Sequence, residues 1–205
     1  MAEDRPEAVP AAGPRDPLEE STLDSRIAYS GAFFQVSRDT VRCPDGHVGV
    51  REYIRHPGAV MVVPLIGPRE ILLERQYRYP LARSFIEMPA GKLEPGEDPF
   101  ACAQRELLEE TGYRAGHWER MGAFHNAIGY TDEKISVYLA RDLERAGSAT
   151  TDAGEVLEVF TAPLEHLLQW IDAGRVTDVK TIIGAYWLER YLARGGVGAG
   201  RGDTP

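Results

Sequence analysis

One segment of the sequence, residues 91–113, reads GKLEPGEDPFACAQRELLEETGY and constrains the fold more tightly than any other stretch. Asp98 suits the N-cap of a helix, and Pro99 suits the first helical position, where its missing N–H is not needed. Gly112 suits the left-handed residue that ends a helix. Because Gly and Pro residues precede Asp98, the segment predicts a loop that leads into a helix.

Acidic side chains crowd one side of the predicted helix. At about 100° per residue, Glu106, Glu109 and Glu110 fall on an arc roughly 100° wide. Glu106 and Glu110 repel each other at i,i+4 spacing, and Arg105 can relieve part of the repulsion by pairing with Glu109. Crowded carboxylates favour a bound cation, and hard oxygen ligands select Mg²⁺, Mn²⁺ or Ca²⁺, ions that often meet phosphate. Glu97 in the loop could fold back toward the same face.

A solvated, Glu-rich helix is the alternative that composition alone leaves open. The spacing argues against it, because a Gly, five residues, Glu97, seven residues and then Arg-Glu-Leu-Leu-Glu-Glu-Thr-Gly form a long ordered pattern. This pattern resembles the signature of the Nudix hydrolases, pyrophosphatases that act on nucleoside diphosphates linked to another group. It departs at the last position, where Tyr113 replaces the usual aliphatic residue.

The resemblance implies a metal centre on the helix. Glu106, Glu109 and Glu110 would lie near one or more Mg²⁺ ions, with Mn²⁺ as a possible substitute. The backbone carbonyl of Ala90 would be a further ligand. Glu109 would in addition bridge metals or act as a base, and it is therefore counted with the catalytic residues.

The remaining signature residues would support this centre. Glu97 and Arg105 would orient the loop and the helix, and Arg105 is also counted with the catalytic residues. Gly91 and Gly112 would give the segment its shape.

Composition places the chain among ordinary globular proteins. Its 205 residues are 43% hydrophobic, which is enough for one domain with a real core. The formal net charge of −9 argues against a nucleic-acid-coating protein, and no apolar run approaches the length of a membrane span. The acidic, Pro-rich N-terminus is unlike a signal peptide, and the two cysteines offer no disulfide or metal spacing. We therefore expect a cytoplasmic protein that binds neither nucleic acid nor a membrane.

The patterns along the chain predict the α+β class. Strands are predicted over residues 27–29, 33–41, 48–54, 59–65, 70–77, 85–88, 118–126, 134–140 and 155–162, and further helices over 164–173 and 178–193. The Nudix resemblance implies an α/β/α sandwich around a mixed sheet, with an N-terminal antiparallel β-ribbon ahead of it.

Four regions are expected along the chain: a disordered tail over 1–25, the β-ribbon over 26–57, the hydrolase domain over 58–194 and a second disordered tail over 195–205. In Nudix enzymes that act on ADP-ribose, such a ribbon commonly crosses to a second subunit. The resemblance therefore implies a homodimer in which the ribbon contributes nucleotide contacts.

Arg78 is the first residue that points to a substrate. It lies in Arg-Gln-Tyr-Arg-Tyr-Pro, after a predicted buried strand and before the signature. This segment resembles the ADP-ribose pyrophosphatase branch, in which the matching arginine contacts phosphate. A surface arginine that covers Tyr79 is the alternative.

A second resemblance to that branch lies in residues 126–133, NAIGYTDE. Members often carry Ser-Pro-Gly-Phe-Ser-Asp-Glu at this distance after the signature. Gly129 matches the substrate loop, and Glu133 could contact the terminal ribose hydroxyls. Ile128 stands where the marker proline would be, which leaves the sugar specificity open. A plain turn before the next strand is the alternative.

Glu155 is the third substrate-side candidate. In this branch, an acid in the loop before the last strand serves as a metal ligand or as the base. Asp152 is a second candidate for that role, and a solvated loop acid is the alternative. The loop over 146–154 is rich in small residues and is expected to be mobile, as a closing lid would be.

The ribbon supplies the last candidates. The branch stacks adenine on aromatic residues of the ribbon, a position that Phe33 and Phe34 match loosely, although Phe34 could equally belong to the core. Arg51 and Glu52 resemble residues that contact the nucleotide across the dimer.

These observations predict a Mg²⁺-dependent ADP-ribose pyrophosphatase that releases AMP and ribose 5-phosphate. A Nudix enzyme for another sugar nucleotide or for a dinucleotide is the nearest alternative. A non-catalytic nucleotide-binding module on the same scaffold is a third, and the retention of every signature acid argues against it.

Overall fold

The computed structural model describes residues 16–32, 34–151, 154 and 156–196. The chain divides into two compact units, with the division between Arg55 and His56. The strands are β1 (Ser21–Ser30), β2 (Gln35–Arg42), β3 (Val48–Arg55), β4 (Ala59–Pro64), β5 (Glu70–Arg78), β6 (Arg83–Glu87), β7 (Ala90–Lys92), β8 (Tyr113–His125), β9 (Lys134–Arg145) and β10 (Leu157–Pro163). The helices are α1 (Pro99–Thr111), α2 (Leu164–Asp172) and α3 (Val179–Ala193), and a 3-10 turn spans Tyr79–Leu81.

The first unit contains one antiparallel sheet in the order β1-β2-β3. Ser21 pairs with Arg42, so residues 21–25, predicted above as part of a disordered tail, are strand. Every residue of β1 is exposed, so the sequence of β1 carries no burial pattern and the pairing with β2 specifies it. The tails expected over 1–15 and 197–205 lie outside the described residues.

The second unit contains two sheets. Four strands form a mixed sheet in the order β7-β4-β9-β8, in which β4 and β9 are parallel, and three form the antiparallel sheet β10-β5-β6. This arrangement, with its three helices among the described residues, confirms the predicted α+β class with a mixed sheet.

The central strand β4 is buried on both faces. Val60 packs in one apolar cluster with Leu107 of α1, whereas its neighbour Met61 packs in another with Leu188 of α3. Because successive side chains of a strand point to opposite faces, β4 carries a helix on each side. These layers are those of an α/β/α sandwich.

β7 and β8 are among the strands that differ from the predictions. β7 is only three residues long, and its pairing of Ala90 with Met61 specifies it rather than a local pattern. β8 begins at Tyr113, well before the predicted start at Trp118, and its pairing with β9 is irregular between Arg120 and Gly122. No residue of β8 is fully buried, so alternation there is weak.

Both predicted ends of α1 are confirmed. A side-chain oxygen of Asp98 accepts hydrogen bonds from the N–H groups of Phe100 and Ala101, which caps the helix N-terminus. Gly112 ends the helix in the left-handed conformation, with φ of 75°, and its N–H donates to the carbonyl of Leu108. Within the described residues, no helix is long and apolar enough to cross a membrane.

Candidate active site

The guanidinium of Arg105 lies at the centre of the charged signature residues. Its Nε and Nη2 donate to the two carboxylate oxygens of Glu97, at 2.9 and 3.0 Å. Its Nη1 donates to Glu106 at 2.8 Å and to Glu109 at 3.0 Å. One cation therefore holds the loop acid and two helix acids together. A residue that orients the loop and the helix, the role predicted for Arg105, would need this geometry.

Ion pairing shifts the pKa values of this group. The bond from Arg105 lowers the pKa of Glu97 to about 2, and Glu97 in turn raises the pKa of Arg105 further above neutrality. Both side chains are therefore charged at neutral pH. Cys102 lies beside them, and burial, followed by the charge of Glu106, raises the pKa of its thiol to about 12. Cys102 is thus a small, uncharged and buried side chain.

Gly91 in β7 lies directly against Glu106 of α1. A Cβ atom on Gly91 would overlap the carboxylate group of Glu106. Any residue with a side chain would therefore displace that carboxylate. Glycine lets the acid approach the backbone of β7, so the first signature glycine serves the placement of a predicted metal ligand.

Glu110 and Ala90 are in direct contact. The carboxylate of Glu110 is buried, and its Oε2 accepts a hydrogen bond from the N–H of Ala90 at 3.0 Å. The carbonyl of the preceding Pro89 accepts a bond from the N–H of Val62 in β4 at 2.8 Å. The backbone at the predicted carbonyl ligand is therefore fixed from two sides.

The loop that follows β9 is attached to the end of α1. The N–H groups of Ala146 and Gly147 donate to the carbonyl of Gly112 at 2.9 and 3.2 Å, and that of Thr150 donates to the carbonyl of Glu109 at 2.8 Å. The carbonyl of Gly147 lies so close that a Cβ atom on Gly112 would be 2.6 Å from it. The prediction of a mobile lid over 146–154 did not anticipate these bonds, because they depend on main-chain groups alone.

Arg78, the predicted phosphate ligand, ends β5 and is bound by Glu87 of β6. Its Nε and Nη2 donate to the two oxygens of Glu87, both at 2.8 Å, and this pairing raises the pKa of Arg78. These two bonds do not use Nη1, and the predicted phosphate contact of Arg78 stays a prediction. Tyr79 is 86% exposed, so Arg78 does not cover it as the alternative supposed.

Glu133 is hydrogen-bonded to Asn126 and lies close to His56, both in the second unit. Nδ2 of Asn126 donates to its Oε2 at 2.6 Å, and Nδ1 of His56 lies 3.6 Å from its Oε1. That Nδ1 accepts a hydrogen bond from the N–H of Gly58 at 3.2 Å. The backbone N–H of His56 donates to Asp132 at 2.8 Å, so the loop is joined to the start of the unit at two points.

The tip of the same loop is open to solvent. Tyr130 and Thr131 donate backbone bonds to the carbonyl of Ala127, so a turn is present as the alternative proposed. Nothing lies within 4 Å of a Cβ atom placed on Gly129, and Ile128 is 84% exposed. The turn leaves room for a ligand, and the substrate roles of Gly129 and Glu133 stay predictions.

The remaining candidates belong to the first unit or lie outside the described residues. Phe33, Asp152 and Glu155 lie outside the described residues. Arg51 and Glu52 belong to β3 of the first unit, where Arg51 pairs with Glu20 and Glu52 pairs with Arg38. Their predicted nucleotide contacts stay predictions.

Among the described residues, no three His, Cys, Asp or Glu side chains already converge as a metal site. The three carboxylates of α1 instead accept hydrogen bonds from protein donors. Arg105 donates to Glu106 and Glu109, and the N–H of Ala90 donates to Glu110. The donor set still fits a divalent cation of the Mg²⁺ type, because α1 offers three carboxylates beside a strand carbonyl, all hard oxygen ligands.

The sequence patterns did not identify four polar residues that contact the segment before the signature or one another: Glu87, Asp178, Lys180 and Thr181. Each is held in hydrogen bonds at the junction of β6 with α3. The available signals were a charged residue in the short apolar strand before Met88 and an N-cap residue at the start of the closing helix.

Comparisons with known proteins follow the same division of the chain. A model of the NUDIX domain matches residues 55–180, and a model of the nucleoside diphosphate sugar hydrolase N-terminal domain matches residues 20–54. A methanol dehydrogenase activator from Bacillus methanolicus is 39% identical over 84% of this chain and 94% of its own length. An ADP-ribose pyrophosphatase from Bacillus subtilis (strain 168) is 37% identical over 84% of this chain and 94% of its own. The crystal structure of an ADP compounds hydrolase shares the fold, with a TM-score of 0.79 and 23% identity over 89% of this chain and 99% of that one.

Proposed function

Because this chain belongs to the Nudix family, we propose that it hydrolyses the diphosphate of ADP-ribose and releases AMP and ribose 5-phosphate. The observation that carries the proposal is the group of signature acids held around Arg105, next to the backbone of β7. The Bacillus subtilis relative is an ADP-ribose pyrophosphatase, and this chain matches it over 94% of its length. That similarity supports ADP-ribose as the substrate.

We propose Mg²⁺ as the cofactor, with Mn²⁺ as a substitute. Glu106, Glu109 and Glu110 would hold it together with the carbonyl of Ala90, and Glu155 would complete the set. A divalent cation, when bound, neutralises phosphate charge and makes a coordinated water more acidic. Arg105 and the N–H of Ala90 would orient two of these ligands, because they donate hydrogen bonds to Glu109 and to Glu110.

The reaction needs a water that attacks one phosphorus, a group that accepts its proton, and cleavage of the bond to the bridging oxygen. Glu109 is the most exposed of the acids bonded to Arg105, with 41% of its side chain accessible, and so can meet solvent and substrate. Glu109, Glu155 and Asp152 are the candidates for the base. Arg105 donates a hydrogen bond to Glu109 at 3.0 Å and so orients the one of these candidates that lies on α1.

The substrate would be bound at its diphosphate and at both of its ends. Nη1 of Arg78 would hold the diphosphate, since Glu87 fixes the other edge of this guanidinium. Glu133 would bind the terminal ribose hydroxyls beside the open turn at Gly129. Phe33, Arg51 and Glu52 of the ribbon would contact the adenosine half.

We further propose that two copies of this chain form a dimer through the ribbon. In β1, Leu23, Ile27 and Tyr29 are exposed, as is Val50 in β3. Apolar side chains at a long exposed edge strand favour pairing with another chain. Sedimentation equilibrium tests the proposal, because a mass of twice 22.7 kDa is expected and a monomer at micromolar concentration would contradict it. The cytoplasmic location stays a prediction.

A different sugar nucleotide or a dinucleotide is the alternative substrate. The observation that favours it is Ile128, which stands exposed at the tip of the substrate loop where the branch's proline would be. A non-catalytic nucleotide-binding module is disfavoured by the full set of signature acids.

The deciding experiment incubates the purified chain and Mg²⁺ with ADP-ribose, GDP-mannose, NADH and diadenosine polyphosphates, and identifies the products. The proposal expects the highest kcat/KM for ADP-ribose, with AMP and ribose 5-phosphate in equal amounts. A higher kcat/KM for another member of the panel would support the alternative. Tight binding without hydrolysis would instead support the non-catalytic module.

A further inference from the structure

The first turn of α3 is hydrogen-bonded to the chain that leads to the predicted metal ligands. Oγ1 of Thr181 accepts a bond from the N–H of Met88 at 2.9 Å and donates to Oδ2 of Asp178 at 2.8 Å. Nζ of Lys180 bridges Asp178 at 2.7 Å and Glu87 at 3.3 Å. Glu87, the last residue of β6, therefore accepts a hydrogen bond from α3, and Met88, the next residue, donates one to it.

Two of these polar residues are buried, and Asp178 and Lys180 are partly buried. Glu87 is 2% exposed, and Thr181 is fully buried. Burial alone would raise the pKa of Asp178, but the charge of Lys180 and its hydrogen bond bring the pKa below its ordinary value. Burial would likewise lower the pKa of Lys180, and the charges of Asp178 and Glu87 hold it above its ordinary value instead.

A buried charged network is a poor device for stability alone, because the desolvation of its members offsets much of their attraction. Apolar residues of similar volume would serve a purely structural junction at least as well. The presence of Asp178, Lys180 and Glu87 at this junction therefore favours a role in fixing geometry.

The fit between α3 and this segment is close. A Cβ atom on Gly184, one turn after Thr181, would lie 2.6 Å from Sδ of Met88 and 2.9 Å from Cε of Met61. Met88 thus packs against the backbone of α3 itself. A shift of the helix would be transmitted to the residues that follow Met88.

The segment from Glu87 to Ala90 is bonded at each residue. Beyond the contacts of Glu87 and Met88, the carbonyl of Pro89 accepts from Val62 and the N–H of Ala90 donates to Glu110. Thr181 acts on the residue two positions before Ala90, and α3 is the only one of these supports that comes from far along the chain.

We infer that Thr181, aided by Asp178 and Lys180, is a positioning residue for the metal centre: it holds Met88 so that the carbonyl of Ala90 and the carboxylate of Glu110 are placed before a cation binds. The inference rests on the proposed function, since it takes these two groups as ligands. Residues that support metal ligands from outside the coordination sphere typically contribute about 10- to 100-fold to metal affinity or activity.

The test compares Thr181→Val, which keeps the shape of the side chain but removes the hydroxyl, with Thr181→Ser, which keeps the hydroxyl. The dissociation constant of Mn²⁺ is measured without substrate, from the electron paramagnetic resonance signal of the free ion. The expected result is an affinity at least about tenfold weaker for Thr181→Val and within about threefold of the parent for Thr181→Ser. Hydrogen exchange of the peptide that contains Met88 is expected to be faster in Thr181→Val alone.

Unchanged Mn²⁺ affinity in a folded Thr181→Val protein would overturn the inference while leaving the proposed function intact. Failure of the parent protein to bind Mn²⁺ and to cleave ADP-ribose would remove the proposed function, and the inference with it. Should Thr181→Val not fold, Lys180→Met and Lys180→Arg provide a second pair. The same measurement applies, with weaker Mn²⁺ binding expected for Lys180→Met and equal affinities again overturning the inference.

Discussion

Gly91 leaves room for the carboxylate of Glu106, which lies where a Cβ atom of residue 91 would be. The two residues belong to β7 and α1, so the contact fixes the distance between the strand and the helix at the candidate site. The first glycine of the signature is therefore a requirement of side-chain packing, rather than of an unusual backbone angle.

Gly91→Ala is expected to lower kcat on ADP-ribose by about 100-fold, because a predicted metal ligand is displaced by about an ångström or more. The melting temperature is expected to fall only slightly, because β7 lies at the edge of its sheet. Gly147→Ala is the matched control, because nothing lies within 4 Å of the added methyl group. Equal activity of the two variants would show that Glu106 need not lie over β7.

Arg78→Lys tests the bidentate pair with Glu87. A lysine cannot reproduce two parallel N–H bonds, and Glu87 is buried, so the free energy of unfolding is expected to fall by about 1–3 kcal/mol. KM for ADP-ribose is expected to rise as well, since the phosphate-facing edge of the guanidinium is lost.

The chain offers a matched control for Arg78→Lys on the same strand. Arg75 makes the same two bonds to Glu158, but both partners are exposed. Arg75→Lys is therefore expected to change the unfolding free energy by less than about 1 kcal/mol and to leave KM unchanged. Urea denaturation and initial-rate kinetics measure both variants, and a similar loss in the two would contradict a special role for Glu87.

Glu97 predicts a pH dependence of stability. Its pKa in the folded protein is about 2, below the ordinary value of 4.5, because Arg105 stabilises the carboxylate. A lowered pKa stabilises the fold above the unfolded value, and this contribution is lost as the pH falls through the folded value. The difference in unfolding free energy between the parent and Glu97→Gln is therefore expected to be full at pH 7 and to shrink from about pH 4.5 toward pH 2.

Urea denaturation across this pH range measures the difference, with Glu94→Gln as the control on the same loop. Glu94 is exposed, and its substitution is expected to leave the pH profile unchanged. A difference between parent and Glu97→Gln that stays constant down to pH 2 would contradict the ion pair.

Local signals in the sequence predicted α1 and its surroundings well. Asp98, Pro99 and Gly112 act within a few residues of themselves, and the structure confirms both helix ends. The spacing of the signature also identified the residues that meet at Arg105. One of them lies in the loop before α1, and the others lie within about one turn of Arg105 on the helix.

Non-local pairing accounts for what the sequence did not predict. β1 is exposed at every position and β7 has three residues, so only their partner strands specify them. The hydrogen bonds from Lys180 to Glu87 and from Met88 to Thr181 each join positions 93 residues apart, and no pattern in either segment indicates the other. Arg78 was predicted from its motif, but its buried partner Glu87 was not.

The activity of Glu110→Gln on ADP-ribose with Mg²⁺ tests whether the acids of α1 hold the catalytic metal. Glu110 is buried beside Ala90, and glutamine can keep the bond from its N–H while losing the negative charge. We predict a fall in kcat of about 10²- to 10³-fold with a melting temperature close to that of the parent, and no fall for the exposed control Glu189→Gln. Full activity of Glu110→Gln, with AMP and ribose 5-phosphate still released, would contradict a metal centre built on the acids of α1.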